Sequence, residues 1–288
     1  MTLSVVVSSY DASGTLGDCL ESLTAQPEAS QIIVTDCSET DPALELQSRF
    51  PTVQFLHFDE LKTTPELRWT ALDQLRGDVV GVVEARSLPA PDWCAKMLEA
   101  HEANPDVDVI AGPVADNPAS PALETAMYFA EYWAYAPPPE VGRAERFIEA
   151  NFSIKRSALE ARRSFLATGE WETFLQDDLK TWISDAGLQF RHTGMSFGQL
   201  CGQRYFYGIN YAAARAAIEG RAKALVYAAL SPLLPVVMTY RNWRGTRQKP
   251  VARRFARAVP WLVFLNSLWA AGELVGYLFG PTRKKYIY

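Results

Sequence analysis

Short β-branched runs that stop at polar residues punctuate the first third of the chain. The first is Leu3-Ser-Val-Val-Val-Ser-Ser-Tyr-Asp11, the second Gln31-Ile-Ile-Val-Thr-Asp-Cys-Ser-Glu-Thr-Asp41, and the third Gly77-Asp-Val-Val-Gly-Val-Val-Glu-Ala-Arg86. A helix-like pattern, Thr15–Leu23, separates the first two. Apolar runs of this length with helical segments between them read as buried parallel strands of an α/β sheet. Ligands of open α/β sheets sit beyond the carboxyl ends of the strands. Ser8, Ser9, Asp11, Asp36 and Glu84 are therefore expected to converge on one crevice.

The pattern changes near the carboxyl terminus. Ala224–Tyr240 is uncharged over 17 residues but is interrupted by Pro232 and Pro235, and Ala258–Gly280 runs for 23 residues with Asn266 and Glu273 inside it. A membrane span needs about 20 apolar residues, so the first stretch is marginal and the second adequate. Charge sharpens this division. Residues 1–220 hold 16 Lys and Arg against 32 Asp and Glu, whereas residues 221–288 hold 12 against the single Glu273, within an overall net charge of −5. The reading is an acidic globular domain over 1–220 and a basic, apolar helical tail over 221–288, attached to anionic lipid.

Seven cations lie between the two stretches, in residues 241–257, and Arg283, Lys284 and Lys285 follow the second. A two-span hairpin would carry that connector to the far side, against the preference for cationic loops in the cytoplasm. A monotopic attachment keeps every cation on one side, with Trp243, Trp261, Trp269 and Tyr277 expected in the headgroup zone.

The remaining chemistry is sparse. Cys19, Cys37, Cys94 and Cys201 lack Cys-x-x-Cys spacing, which excludes an ordinary zinc site and points to reduced thiols. His57, His101 and His192 read as isolated structural residues. No secretory signal opens the chain. No Gly-x-Gly-x-x-Gly follows the first strand, which sets aside a Rossmann oxidoreductase.

In order and spacing, these motifs resemble family 2 glycosyltransferases of the GT-A fold. Val34-Thr-Asp-Cys-Ser38 stands where that family reads Val-Asp-Asp-Gly-Ser, and Glu84-Ala-Arg86 with the later Pro-Asp-Trp93 stands where it reads Asp-x-Asp and Pro-x-x-Trp. Ala150–Leu159 matches a strand and turn that line the acceptor side, and Trp269–Gly280 is similar to the tails of membrane-attached bacterial members. The resemblance implies a mostly parallel sheet flanked by helices and a nucleotide-sugar donor, with Ser8, Ser9, Asp11 and Asp36 on the nucleoside and Glu84 on the ribose. It also implies Mg2+ or Mn2+ on the diphosphate, with Glu84 as the surviving ligand, and Arg204 meeting the diphosphate.

Two departures matter. Arg86 replaces the metal-facing carboxylate, and a guanidinium can itself pair with phosphate oxygens. The usual Glu-Asp pair of the catalytic base falls on Leu175-Gln176, so Asp177 or Asp178, at the start of a helical pattern, becomes the candidate base, with Glu172 behind them. The expectation is an inverting transferase on the cytoplasmic face of a bacterial inner membrane, acting on a lipid-linked or polysaccharide hydroxyl and not on nucleic acid. The alternative is a degenerate relative that binds a nucleotide sugar or a partner without turnover.

Overall fold

The structure is a computed structural model that describes residues 1–163, 178–191 and 196–282. The chain divides into two compact units, one formed by Met1–Ala115 and Pro137–Thr193, the other by Asp116–Ala136 and Gly194–Tyr288.

In chain order the elements are β1 (Leu3–Ser9), α1 (Ser13–Thr24), β2 (Ala29–Asp36), α2 (Ala43–Leu46), β3 (Gln54–His57), α3 (Thr64–Thr70), β4 (Val79–Glu84), β5 (Ser87–Pro89) and α4 (Trp93–Ala103). These are followed by β6 (Val109–Ala111), β7 (Val114–Asp116), α5 (Ala122–Tyr132), β8 (Gly142–Ala144), β9 (Asn151–Lys155), α6 (Arg156–Glu160), β10 (Thr181–Ile183) and β11 (Leu188–Phe190). The last four helices are α7 (Phe197–Glu219), α8 (Arg221–Leu230), α9 (Leu234–Thr246) and α10 (Ala252–Phe279).

The first unit is built on an eight-stranded sheet in the order β3-β2-β1-β4-β9-β6-β10-β8. β3, β2, β1 and β4 run parallel, while β9 is antiparallel to both β4 and β6. Side chains alternate between the two faces of a strand, so each β-branched run splits its residues between two cores. Val5, Val7, Ile32, Val34 and Val83 pack with Leu16, Leu20 and Leu23 of α1 and with Trp93 and Met97 of α4. Val6, Ile33, Val80 and Val82 pack with Trp69, Leu72, Leu75 and Leu159. A second, three-stranded sheet is ordered β5-β11-β7.

One expectation fails here. The helical pattern expected to start at Asp177 and Asp178 is, in its described part, the strand β10, which pairs parallel with β6 through Thr181↔Val109 and Ile183↔Ala111. Thr181, Trp182 and Ile183 are β-branched or aromatic, so they favour the pleated surface offered by a neighbouring strand. Asp177, Glu172, His192 and Arg283–Lys285 lie outside the described residues.

The second unit is helical. Gly208, Gly272 and Gly276 allow α7 and α10 to touch backbone to backbone: a Cβ on Gly272 would stand 2.1 Å from the Tyr205 carbonyl oxygen, and one on Gly276 2.2 Å from that of Ile209. Arg254 of α10 donates to the carboxylate of Asp116 and to the carbonyls of Asn117 and Ser120. By length and composition 221–246 and 252–279 are apolar enough to cross a membrane; 17% of the most apolar stretch is buried in the first and 44% in the second. The prolines act as the sequence suggests, since α8 stops at Leu230 and a tight turn, Ser231–Leu233, leads into α9. The headgroup expectation divides. Trp243 and Trp261 are exposed, but Tyr277 is 2% exposed, covered by the Tyr227 ring 5.6 Å away.

Candidate functional site

The carboxyl ends of four parallel strands line up in register. Ser8 pairs with Thr35 on one side and Glu84 on the other, Ser9 pairs with Asp36, and Asp36 pairs with His57. Neighbouring strands lie about 4.8 Å apart and successive side chains alternate in face, so these residues line the sheet edge as two adjoining rows, His57-Asp36-Ser9 and Thr35-Ser8-Glu84. Ser8, Ser9, Asp11, Asp36, Glu84 and Arg86 are thus brought together in the first unit.

Asp36 is 1% exposed. Its Oδ1 accepts from the Ser38 amide at 2.8 Å and its Oδ2 from the Ser38 hydroxyl at 2.8 Å, closing an Asx turn. The imidazole Nδ1 of His57 lies 3.1 Å from Oδ1. Ser38 Oγ in turn accepts from the Asp11 amide at 2.9 Å, which fixes Asp11 at φ +46°. The turn after β2 therefore holds the turn after β1.

Arg86 holds the same loop from the other side. Its guanidinium is buried and donates to the Asp11 carbonyl at 2.9 Å and to the Tyr10 carbonyl at 3.5 Å. Burial draws its pKa below the usual arginine value, opposed by Asp11 and Glu84. Glu84 accepts from Arg68 Nη2 at 2.8 Å, and Arg68 is itself buried on α3. That helix is fixed by a capping box in which Thr63 and Glu66 bond each other's backbone amides. Ser8 Oγ and Thr35 Oγ1, side by side on β1 and β2, are buried without a hydrogen-bond partner among the described residues. Such orphans carry a desolvation cost that a polar ligand relieves.

Asn151 frames the opposite side of this edge. It accepts from Trp93 Nε1 at 2.8 Å and donates to the carbonyls of Pro113 and Ala186 at 2.9 Å. It thereby ties β9 to the turns that follow β6 and β10.

Two predicted residues stand elsewhere. Asp178 is exposed, adopts φ +70°, and precedes β10. Because β10 runs parallel to β6, and β6 in the same sense as β4, Asp178 precedes the amino end of its strand, whereas Glu84 closes the carboxyl end of β4. Arg204 belongs to the second unit, 3% exposed, with its guanidinium 4.5 Å from the Trp269 ring centre and 4.0 Å from Glu131. Conversely, His57, Arg68 and Ser38 join these rows without having been singled out. His57 is not isolated, because strand register and not sequence spacing brings it to Asp36. Its signal in the sequence is its position at the end of the run Gln54-Phe-Leu-His57.

A hard divalent cation asks for several oxygen ligands. Glu84 is already bonded to Arg68, and the cation Arg86 follows two residues later. Among the described residues no three or more His, Cys, Asp or Glu side chains stand close enough together to hold a metal ion. This donor set does not fit Mg2+ or Mn2+ at Glu84.

Residues 4–165 match the family profile described as Glycosyl transferase family 2. A Haemophilus influenzae protein described as an uncharacterized glycosyltransferase is 30% identical over 113 residues, a match that spans 38% of this chain and 38% of that relative's own length. Among solved structures, a mannosyltransferase from Pyrobaculum calidifontis in complex with GDP-Man and Mn2+ is similar with a TM-score of 0.56 at 15% identity, over 96% of this chain and 87% of that one. S. aureus TarS in complex with UDP-GlcNAc is similar with a TM-score of 0.51 at 11% identity, over 92% and 90%. At these identities the likeness is one of fold, and the fold is GT-A.

Proposed function

Because this chain belongs to glycosyltransferase family 2, we propose that it moves a sugar from a nucleotide-diphosphate donor to a hydroxyl of a lipid-linked or polysaccharide acceptor, with inversion. The observation that carries this reading is the two adjoining rows of Ser8, Ser9, Asp36, His57 and Glu84 at the carboxyl edge of the parallel strands. In the reaction the acceptor oxygen bonds to the anomeric carbon, the bond from that carbon to the diphosphate breaks, and the diphosphate leaves with the electron pair. The acceptor proton passes to a carboxylate within hydrogen-bond reach. Asp177 is the proposed base, since Asp178 precedes the amino end of β10, away from those rows; Asp177→Asn is expected to lose turnover about 100-fold while donor affinity stands.

Glu84, held by Arg68, is the acceptor for ribose hydroxyls. Arg86 shapes the diphosphate end by fixing the Tyr10–Asp11 backbone and leaving a buried positive charge beside it. The exposed apolar residues of α8 and α9, among them Leu225, Leu230, Val236 and Trp243, seat the tail in an anionic membrane surface on the cytoplasmic side. A second reading, binding without turnover, is favoured by the ion pair that already engages Glu84 with Arg68.

Calorimetric binding of nucleotides and nucleotide sugars to the full chain in detergent, with Mn2+ or with EDTA, tests the proposal. Donor binding that survives EDTA and is followed by sugar transfer supports it. Donor binding without transfer to any hydroxyl supports the second reading, and no binding at all overturns both.

A further inference from the structure

We infer that Arg86 supplies, as a fixed side-chain charge, the counter-charge for the donor's diphosphate, and that Arg68 keeps a divalent cation off Glu84, so that this protein takes its donor without a metal. The inference rests on the donor reading above and deepens it by naming what faces the leaving group.

The backbone places Arg86. Pairing of β4 with β1 runs to Glu84, and the Ala85 amide still donates to the Ser8 carbonyl at 2.9 Å. Arg86 is therefore the residue at which the chain leaves the sheet, just past its carboxyl edge. Its side chain turns back over the end of β1, where the carbonyls of Asp11 and Tyr10 accept from Nη2 at 2.9 and 3.5 Å. Those bonds fix the guanidinium, and the residue is only 7% exposed. An arginine stays charged at neutral pH, and a charge so covered is screened far less than one in open water. A charge already in position costs no reorganisation when negative charge develops on a departing diphosphate. That is the task a divalent cation performs in phosphate chemistry.

The same residues disfavour the cation itself. Glu84 Oε1 lies 2.8 Å from Arg68 Nη2, on a side chain 3% exposed. A metal bonded to that oxygen at ~2.1 Å would stand within about 5 Å of the Arg68 nitrogen, and the two positive charges would repel. Asp11 and Glu84 are the carboxylates whose charge Arg86 feels. A cation on Asp11 would adjoin the guanidinium that holds the Asp11 carbonyl. Glu84, Arg68 and Arg86 already carry one net positive charge between them, which suits a diphosphate and opposes a metal.

The test is calorimetry on the full chain in detergent with uridine, guanosine, cytidine and adenosine and with their diphosphates, each with Mn2+ or with EDTA. The proteins are the wild type, Arg86→Lys and Arg86→Gln. The quantity read is how much more tightly a diphosphate binds than its own nucleoside. In the wild type that advantage is expected to be about 10–100-fold, and the same with Mn2+ as with EDTA. Arg86→Gln should bring it to about threefold or less while the nucleoside binds as before. Arg86→Lys, which keeps the charge, should retain most of it. Should Arg86→Gln fail to fold, the comparison of Mn2+ with EDTA in the wild type and the lysine variant decides. An advantage that is absent, that appears only with Mn2+, or that a folded Arg86→Gln keeps in EDTA overturns the inference and leaves the donor reading standing. A glutamine variant that weakens nucleoside and diphosphate equally makes Arg86 a loop tie alone and also overturns it. A wild type that binds neither nucleosides nor diphosphates overturns the donor reading together with this one.

Discussion

Arg68 and Glu84 form an ion pair across two elements, Nη2 to Oε1 at 2.8 Å, with the arginine side chain 3% and the glutamate 17% exposed. Breaking one partner of a covered pair costs more than the pair is worth, because the other charge keeps its desolvation. Arg68→Met is expected to lower stability by about 3 kcal/mol, read from chemical denaturation. Glu84→Gln should cost less, since its amide oxygen still accepts. The double variant should cost less than the two single changes together, by about 1 kcal/mol or more; strict additivity would show that the pair is not coupled.

Arg86→Asp restores the carboxylate that the family pattern has at this position. Here it would set an acceptor against the Tyr10 and Asp11 carbonyls that the guanidinium now bonds. The expected result is a loss of about 2–3 kcal/mol and weaker nucleotide binding, with no rescue by Mn2+. Binding that becomes Mn2+-dependent in this variant would show that the position still belongs to a metal site.

The contact between α7 and α10 separates glycines that are required from glycines that are not. Gly272→Val drives a side chain into the Tyr205 carbonyl, with 2.1 Å available at Cβ, and should destabilise the helical unit by more than about 3 kcal/mol. Gly198→Ala, in the first turn of α7 with nothing within 4 Å, should be neutral or stabilising by about 0.5–1 kcal/mol. Thermal unfolding followed by tryptophan fluorescence distinguishes the two.

His101 predicts how stability depends on pH. Burial, reinforced by Lys155, lowers its pKa from 6.5 to about 4, while Nε2 lies 3.0 Å from Ser153 Oγ. As pH falls below 6.5 the unfolded chain takes a proton that the folded imidazole refuses until about 4. The folded state therefore loses stability on acidification across that window, by about 3 kcal/mol when the shift is integrated. His101→Gln should flatten this part of the stability profile, and an unchanged slope would place the acid sensitivity elsewhere.

Arg241, Arg244 and Arg247 are exposed beside the apolar face of α9. Each basic residue near an anionic surface contributes about 1 kcal/mol. Replacing the three with Glu should reduce co-sedimentation with phosphatidylglycerol vesicles by about 100-fold or more, and leave the weak binding to phosphatidylcholine vesicles nearly unchanged. Equal binding to both vesicle types in the parent chain would show that charge does not direct attachment.

The strand ends were legible because a β-branched run closed by Ser-Ser, Thr-Asp or Val-Glu records both burial and its limit within a few residues. His57 and Arg68 left no such record. One reaches the sheet edge only through the register of β3 on β2, the other through the rotation of α3, and neither is a local property. β10 departs from its sequence pattern for a related reason, since its three residues become a strand between β6 and β8. Tyr277 looked amphipathic in sequence and is buried because Tyr227 covers it. Composition located the basic, apolar tail without revealing which of its aromatic rings face inward.

The main sheet ends on the four-residue β3 at one side and the three-residue β8 at the other. Rims this short expose few unpaired amides and carbonyls, so they give a foreign strand little to extend. Self-association of this protein by strand addition is disfavoured from the outset. Among the described residues most exposed large apolar side chains, such as Leu225, Val236 and Trp243, lie on helices, where lipid or detergent can mask them reversibly.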